Sequence, residues 1–172
     1  LASRVGGVEV AHVLVPVIER LPLDVGVVHG VLVGIVAEDD AGALLEGSKV
    51  HAKKFMDRWG VPTAPWDECT SLQDVEEALA KRSAPFIVKA DGLAAGKGVF
   101  VTKTREEAFL AAENLLVRGA LGEAGKRIII EDALSGEELT VLAVSDGATY
   151  RILPPSQDHK RVYEEDKGPN TG

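Results

Sequence analysis

Apolar positions along the chain fall into short runs whose period changes from segment to segment. From Ser48, a residue type that caps helix N-termini, Ala52, Phe55, Met56 and Trp59 recur at helical spacing, and Gly60 and Pro62 then stop the pattern. A second helix is predicted from Ser71, with Leu72, Val75 and Leu79 on one face. Pro85-Phe86-Ile87-Val88 and Val99-Phe100-Val101 read as strands on either side of Gly92-Leu93-Ala94-Ala95-Gly96-Lys97-Gly98. Thr104 with Glu107 forms a capping box for a third helix, with Ala108, Ala112, Leu115 and Leu116 turned inward. Arg127 to Ile130 is a strand ending at Glu131-Asp132. Leu139 to Val144 and Thr149 to Leu153 make a hairpin around Asp146-Gly147. From residue 61 the order is strand, helix, strand, glycine loop, strand, helix, strand, hairpin. Residues 1 to 47 are poor in basic residues. Within them Val13-Leu14-Val15 and Val25 to Val28 read as short buried strands of an incomplete α/β layer.

This alternation makes the fold class mixed α/β (α+β), in a chain of 172 residues with 45% hydrophobic and 27% charged positions. Those proportions exclude a disordered or collagen-like chain. The net charge of −8 argues against general binding to nucleic acid or to an anionic membrane, which would need surplus Lys and Arg. The longest apolar run, Val25 to Ala37, contains Gly26, His29, Gly30 and Gly34 and is too short to span a bilayer. No signal peptide is visible, and Cys69 alone allows neither an internal disulfide nor a thiolate zinc cluster. A reducing cytoplasm fits best. Leu1 and the final Asn170-Thr171-Gly172 look like cut ends, so a fragment is expected.

The glycine loop carries the most chemical information. Glycines let main-chain N–H groups converge on an anion. Lys97 lies within the loop and Lys89 closes the strand before it, a plausible clamp for a nucleotide triphosphate. The loop is not a P-loop: three residues separate Gly92 from Gly96, Gly98 stands where Ser or Thr would bind magnesium, and a strand follows instead of a helix. A dinucleotide fingerprint fails for the same last reason. A ligand-free hairpin loop is the open alternative. Glu131 and Glu138 flank a short hinge that could read an adenine edge and ribose hydroxyls, or could be an acidic surface turn. Ser156-Gln157-Asp158-His159-Lys160-Arg161 could bind an anion through Arg161, or be a solvated charge run. His12, His29, His51 and His159 have no metal-ligand spacing; His12 and His29, in apolar runs, read as core residues. Cys69 has no partner to make it a nucleophile, and Trp59 and Trp66 are expected in the core.

Five segments in register carry a resemblance over about residues 44 to 172. They are Leu45-Glu46-Gly47-Ser48-Lys49, Val88-Lys89-Ala90-Asp91-Gly92-Leu93-Ala94-Ala95-Gly96-Lys97-Gly98-Val99, Ile130-Glu131-Asp132-Ala133-Leu134-Ser135-Gly136-Glu137-Glu138, Gln157-Asp158-His159-Lys160-Arg161 and Gly168-Pro169-Asn170-Thr171-Gly172. Together they resemble the phosphoribosylamine–glycine ligase family of ATP-grasp enzymes. The resemblance implies an ATP-grasp fold fragment. Residues 1–47 would be the remnant of an N-terminal α/β region, 48–130 the nucleotide-binding lid subdomain, and 131–172 the start of a second subdomain. It implies ligation of glycine to phosphoribosylamine with ATP, through a glycyl phosphate, in purine biosynthesis. Lys49 and Lys89 would hold ATP phosphates beneath a flap made of Gly92, Gly96, Lys97 and Gly98. Glu131 with the Ala133 and Leu134 main chain would read adenine, and Glu138 ribose. Lys160 and Arg161 would act in catalysis, and Asp158, His159, Asn170 and Thr171 would face substrate. The family's opening glycine motif is missing from residues 1–43. Its metal ligands, for Mg2+ or Mn2+, are expected beyond Gly172, so this chain alone is expected to be nearly inactive. The alternatives are a non-catalytic ATP-binding module and an ATP-grasp carboxylate–amine ligase for another acid.

Overall fold

A computed structural model of the chain describes residues 4–5, 8–9, 44–45, 47–94, 97–136, 140–145, 149–156, 161–163 and 167–170. Its centre is a four-stranded antiparallel sheet made of β3 (Trp66–Cys69), β4 (Phe86–Ala90), β5 (Val99–Thr102) and β6 (Ile128–Asp132), ordered β3-β6-β4-β5. Among the described residues three α-helices are defined beside it: α1 (Lys49–Trp59), α2 (Leu72–Ala80) and α3 (Arg105–Leu116). Since β3 and β4 both run antiparallel to β6, α2 connects two parallel strands across the strand between them. The α3 crossover does the same for β5 and β6 across β4. Three two-stranded pairs lie outside this sheet: β1 (Arg4–Val5) with β2 (Val8–Glu9), β7 (Ala143–Ser145) with β8 (Tyr150–Ile152), and β9 (Arg161–Tyr163) with β10 (Lys167–Asn170).

Local chemistry starts and stops the helices where the sequence pattern places them. The Ser48 hydroxyl accepts from the His51 N–H at 3.1 Å, and Gly60 ends α1 at φ 66°, a left-handed turn that glycine adopts without strain. Ser71 and Asp74 form a reciprocal capping box on α2. On α3 the Thr104 hydroxyl accepts from Glu107 N–H, but the Glu107 carboxylate reaches the N–H of Lys103 instead of that of Thr104. The expected box is therefore half formed.

Side chains alternate across the sheet, so its two faces can be read from the register. One face carries Cys69, Phe86, Val88, Ala90, Ile128 and Ile130, packed against Val75, Ala78 and Leu79 of α2 and Ala108, Ala112 and Leu115 of α3. Leu116 is only partly buried beside this core. The other face carries Trp66, Glu68, Ile129, Glu131, Ile87, Lys89, Val99 and Val101. Helix α1 lies over its β3–β6 half, tied by Lys53–Glu131 and Lys54–Glu68 ion pairs at 2.6 Å each.

Some expectations shift. The fourth strand starts at Ile128, one residue later than expected, and takes in Glu131 and Asp132, where the sequence pattern ends it, because both acidic residues stay in the ladder opposite Ile87 and Phe86. The buried side of α1 holds Val50, Lys53, Phe55 and Met56, whereas Ala52 and Trp59 are only half-buried. Trp66 is also outside the core: its indole N–H donates to Asp57 Oδ2 at 2.9 Å near the surface. The hairpin expected around Asp146-Gly147 forms between β7 and β8, with the turn itself outside the described residues. So are Val13–Val15, Val25–Val28, His12 and His29.

Candidate nucleotide-phosphate site

The half of the second sheet face that α1 leaves uncovered is open. Val101 is 70% exposed there, Val99 is exposed beside it, and Lys89 rises between them and β6. The glycine loop leaves this surface at the end of β4 and returns as β5, a strand-to-strand connection as its sequence predicts. Its base is closed by the Ala90 N–H on the Gly98 carbonyl at 2.8 Å. Leu93 and Lys97 are exposed on the loop, and Ala95 and Gly96 lie outside the described residues.

Glycines at the two ends of the loop serve close packing. A Cβ on Gly92 would stand 2.9 Å from both Cα and Cβ of Ala124, and one on Gly98 would stand 2.8 Å from the Ala94 Cβ and 3.2 Å from that of Ala90. The Gly92 N–H also bonds to the Ala124 carbonyl at 3.2 Å, which pins the loop to the 3₁₀ turn Gly122–Gly125. Gly98→Ala is therefore expected to cost roughly 1–3 kcal/mol by overpacking. Gly47→Ala, where nothing lies within 4 Å, should leave stability unchanged or slightly raised. Urea unfolding midpoints of the two variants check this.

Beneath the loop sits a polar node that sequence reading passed over. The buried Asp91 carboxylate accepts from Ser48 Oγ at 2.9 Å, Val50 N–H at 2.7 Å, Arg127 Nε at 2.9 Å and Arg127 Nη2 at 2.5 Å. Burial alone would push the Asp91 carboxyl up. The Val50 N–H, the Arg127 guanidinium and the Ser48 hydroxyl outweigh it and hold the group below the ordinary aspartate range. This node fixes the start of α1 to the start of the loop. Lys49 is thereby carried to the loop's edge, its ammonium 3.3 Å from the Gly92 carbonyl.

The second lysine of the site belongs to another cluster. Glu131, buried beneath the open face, pairs through Oε1 with Lys89 and through Oε2 with Lys53 at 2.6 Å. Burial pushes this carboxyl up, but the charge of Lys89 and the hydrogen bond from Lys53 hold it below the usual glutamate range. Among the described residues, Lys49, Lys53, Lys54, Lys89 and Arg127 gather around three carboxylates, those of Glu68, Asp91 and Glu131. Within a chain of net charge −8, the balance of these described side chains is cationic, the electrostatic condition that favours a polyphosphate. A signal for Lys53 exists in the sequence: it is a charged residue on the apolar side of α1, three positions after Val50 and three before Met56.

The described residues do not suit a metal ion. Among them no three His, Cys, Asp or Glu side chains converge, and Glu68, Asp91 and Glu131 are each engaged by cations. Cys69 is buried, and burial pushes its thiol up to about 12, so it is no nucleophile. No described helix is long and apolar enough to cross a membrane.

The hinge after β6 leaves the sheet at Ala133, and Leu134 is exposed there. Glu138, Asp158, His159, Lys160 and Thr171 lie outside the described residues. Arg161 and Asn170 occupy β9 and β10, paired to each other in register, with their side chains undescribed.

Comparison with known proteins identifies a family. The family model for the phosphoribosylglycinamide synthetase ATP-grasp (A) domain matches residues 47–172. The phosphoribosylamine–glycine ligase of Streptococcus pneumoniae serotype 4 is 46% identical over 132 residues, 77% of this chain and 31% of that protein. The corresponding ligase of Vibrio vulnificus strain YJ016 is 45% identical over 156 residues, 89% of this chain and 36% of its own length. The crystal structure of the Thermotoga maritima phosphoribosylamine–glycine ligase superposes with a TM-score of 0.70 at 39% identity, covering 75% of this chain and 33% of that one. The chain spans about a third of the length of these three relatives.

Proposed function

The chain belongs to the phosphoribosylglycinamide synthetase ATP-grasp (A) domain family, and from that premise we propose that it forms the nucleotide-holding part of an ATP-dependent carbon–nitrogen ligase. Its relatives bear the name phosphoribosylamine–glycine ligase. The reaction we assign accordingly joins glycine to phosphoribosylamine through a glycyl phosphate, as a step of purine biosynthesis in the cytoplasm. The observation that carries the reading is the pair of lysines at the start of the strand-to-strand glycine loop: Lys89 on the open sheet face in β4, and Lys49 with its ammonium 3.3 Å from the Gly92 carbonyl.

In this reading the ammonium groups of Lys49 and Lys89 meet the phosphate oxygens, and the segment Gly92, Gly96, Lys97 and Gly98 closes over them. The exposed Val99 and Val101 offer an apolar floor. The hinge at Glu131, Ala133 and Leu134 faces adenine, Glu138 faces ribose, and Lys160, Arg161, Asp158, His159, Asn170 and Thr171 serve the substrate side. Residues 48–130 and 131–172 then supply the two sides of the nucleotide site. A glycine carboxylate becomes electrophilic once phosphorylated. Transfer of a γ-phosphoryl group depends on in-line positioning and on neutralised charge. Fixed lysines and main-chain N–H groups supply that charge without reorganising. A closed loop also keeps water from the acyl phosphate. Among the described residues no three His, Cys, Asp or Glu side chains converge on a site for the Mg2+ or Mn2+ that would accompany the nucleotide.

Calorimetric titration of ATP into the wild-type chain and Lys89→Ala tests the reading. The substitution should weaken binding by roughly 1.5–3 kcal/mol, the worth of a hydrogen bond to a charged group. Equal affinities would remove Lys89 from the site.

A further inference from the structure

We infer that Lys53 is a positioning residue for the phosphate site: it keeps Glu131 neutralised so that the charge of Lys89 is available to an anion. The inference rests on the nucleotide reading above and adds to it a residue that makes no contact with the open face.

One carboxylate stands between two ammonium groups, and it can cancel the charge of only one. The two lysines differ in how they are held. The Lys53 side chain is 9% exposed, its Nζ donates to Thr63 Oγ1 at 2.7 Å and to the Ala64 carbonyl at 3.2 Å, and it forms an ion pair with Glu131 Oε2 at 2.6 Å. Three oxygens around a buried ammonium hold Lys53 in place. The Lys89 side chain is 27% exposed, and among the described residues Glu131 is its one partner. Two of its donors are left for the open face. Without Lys53, Lys89 could move to a phosphate only by stranding a carboxylate that is 7% exposed, an unfavourable exchange. With Lys53 in place the carboxylate stays paired when Lys89 departs. The three-residue cluster therefore presents one surplus positive charge to the open face.

The test measures two properties of the 172-residue chain in the wild type, Lys53→Met and Lys53→Met/Glu131→Gln: ATP affinity by calorimetry, and the rate at which acetic anhydride acylates Lys89, followed by peptide mass spectrometry without nucleotide. Lys53→Met should bind ATP about tenfold more weakly and acylate Lys89 several-fold more slowly, because Glu131 now holds Lys89 as its sole counterion. The double variant removes the competitor for Lys89 and should regain the wild-type acylation rate to within about threefold; its ATP affinity is not a criterion, because Glu131 also belongs to the adenine hinge. An ATP affinity undiminished in Lys53→Met, or a slowed acylation that Glu131→Gln does not restore, overturns the inference. Unchanged acylation in Lys53→Met overturns it too. If ATP binding is indifferent to Lys89→Ala, the nucleotide reading falls, and the acylation rates alone decide on the charge compensation. Should Lys53→Met fail to fold by circular dichroism, the double variant decides: Lys89 acylation near the wild-type rate supports the inference. Slowed acylation, or loss of its fold, overturns it.

Discussion

Lys53→Met is expected to lower the unfolding free energy by about 3–5 kcal/mol, the usual cost of removing one member of a buried ion pair. The substitution leaves the buried Glu131 carboxylate with Lys89 alone, on the more exposed side of the cluster, and takes the ammonium away from Thr63 Oγ1 and the Ala64 carbonyl. Most of that penalty is the desolvation of what remains, so replacing Glu131 as well should recover the larger part of it. Urea melts of the single and double variants give the comparison. A single variant as stable as wild type would mean that water already reaches Glu131.

Asp91→Ala should cost about 3 kcal/mol, since each hydrogen bond to a charged group is worth about 1.5–3 kcal/mol and the carboxylate accepts from three residues at once. The loss would fall on the junction of α1, the loop and β6. Acid dependence follows with a defined sign. The folded carboxyls of Asp91 and Glu131 lie below their ordinary values of 3.8 and 4.5. Each therefore adds stability that is full above the unfolded value and is lost as the pH falls through the lowered folded one. Melts run from pH 7 down to about pH 3 should show this loss, with a shallower fall in Asp91→Ala.

Much of the fold could be read from local signals. Ser48, Ser71 and Thr104 cap the three helices because a short hydroxyl side chain serves an N–H three residues ahead, a relation visible within four positions of sequence. The glycine loop could be assigned to a strand-to-strand connection because Val99-Phe100-Val101 follows it directly. What escaped is non-local. Asp91 finds Arg127 across 36 positions and Ser48 across 43, and no periodicity announces such partners. Lys53 was hidden because a single lysine on an apolar helix face reads as a pattern defect until β6 brings Glu131 beneath it. The strand order β3-β6-β4-β5 depends on which helix covers which face, again a property of the whole. The loop glycines were legible as glycines, but Gly92 answers to Ala124, a residue with no visible link to it in the sequence, while Gly98 answers to Ala94 of its own loop.

Strand β5 borders the described sheet, so one row of its main-chain donors and acceptors has no neighbouring strand in that sheet, and its outward valines add an apolar surface along the same rim. Such a rim is a template on which a second molecule could build an intermolecular ladder. The chain places Lys97 just before this strand and Lys103 just after it, both solvent-facing. Like charges at the two ends of an unguarded edge make stacking of copies unfavourable, so these lysines double as gatekeepers against aggregation.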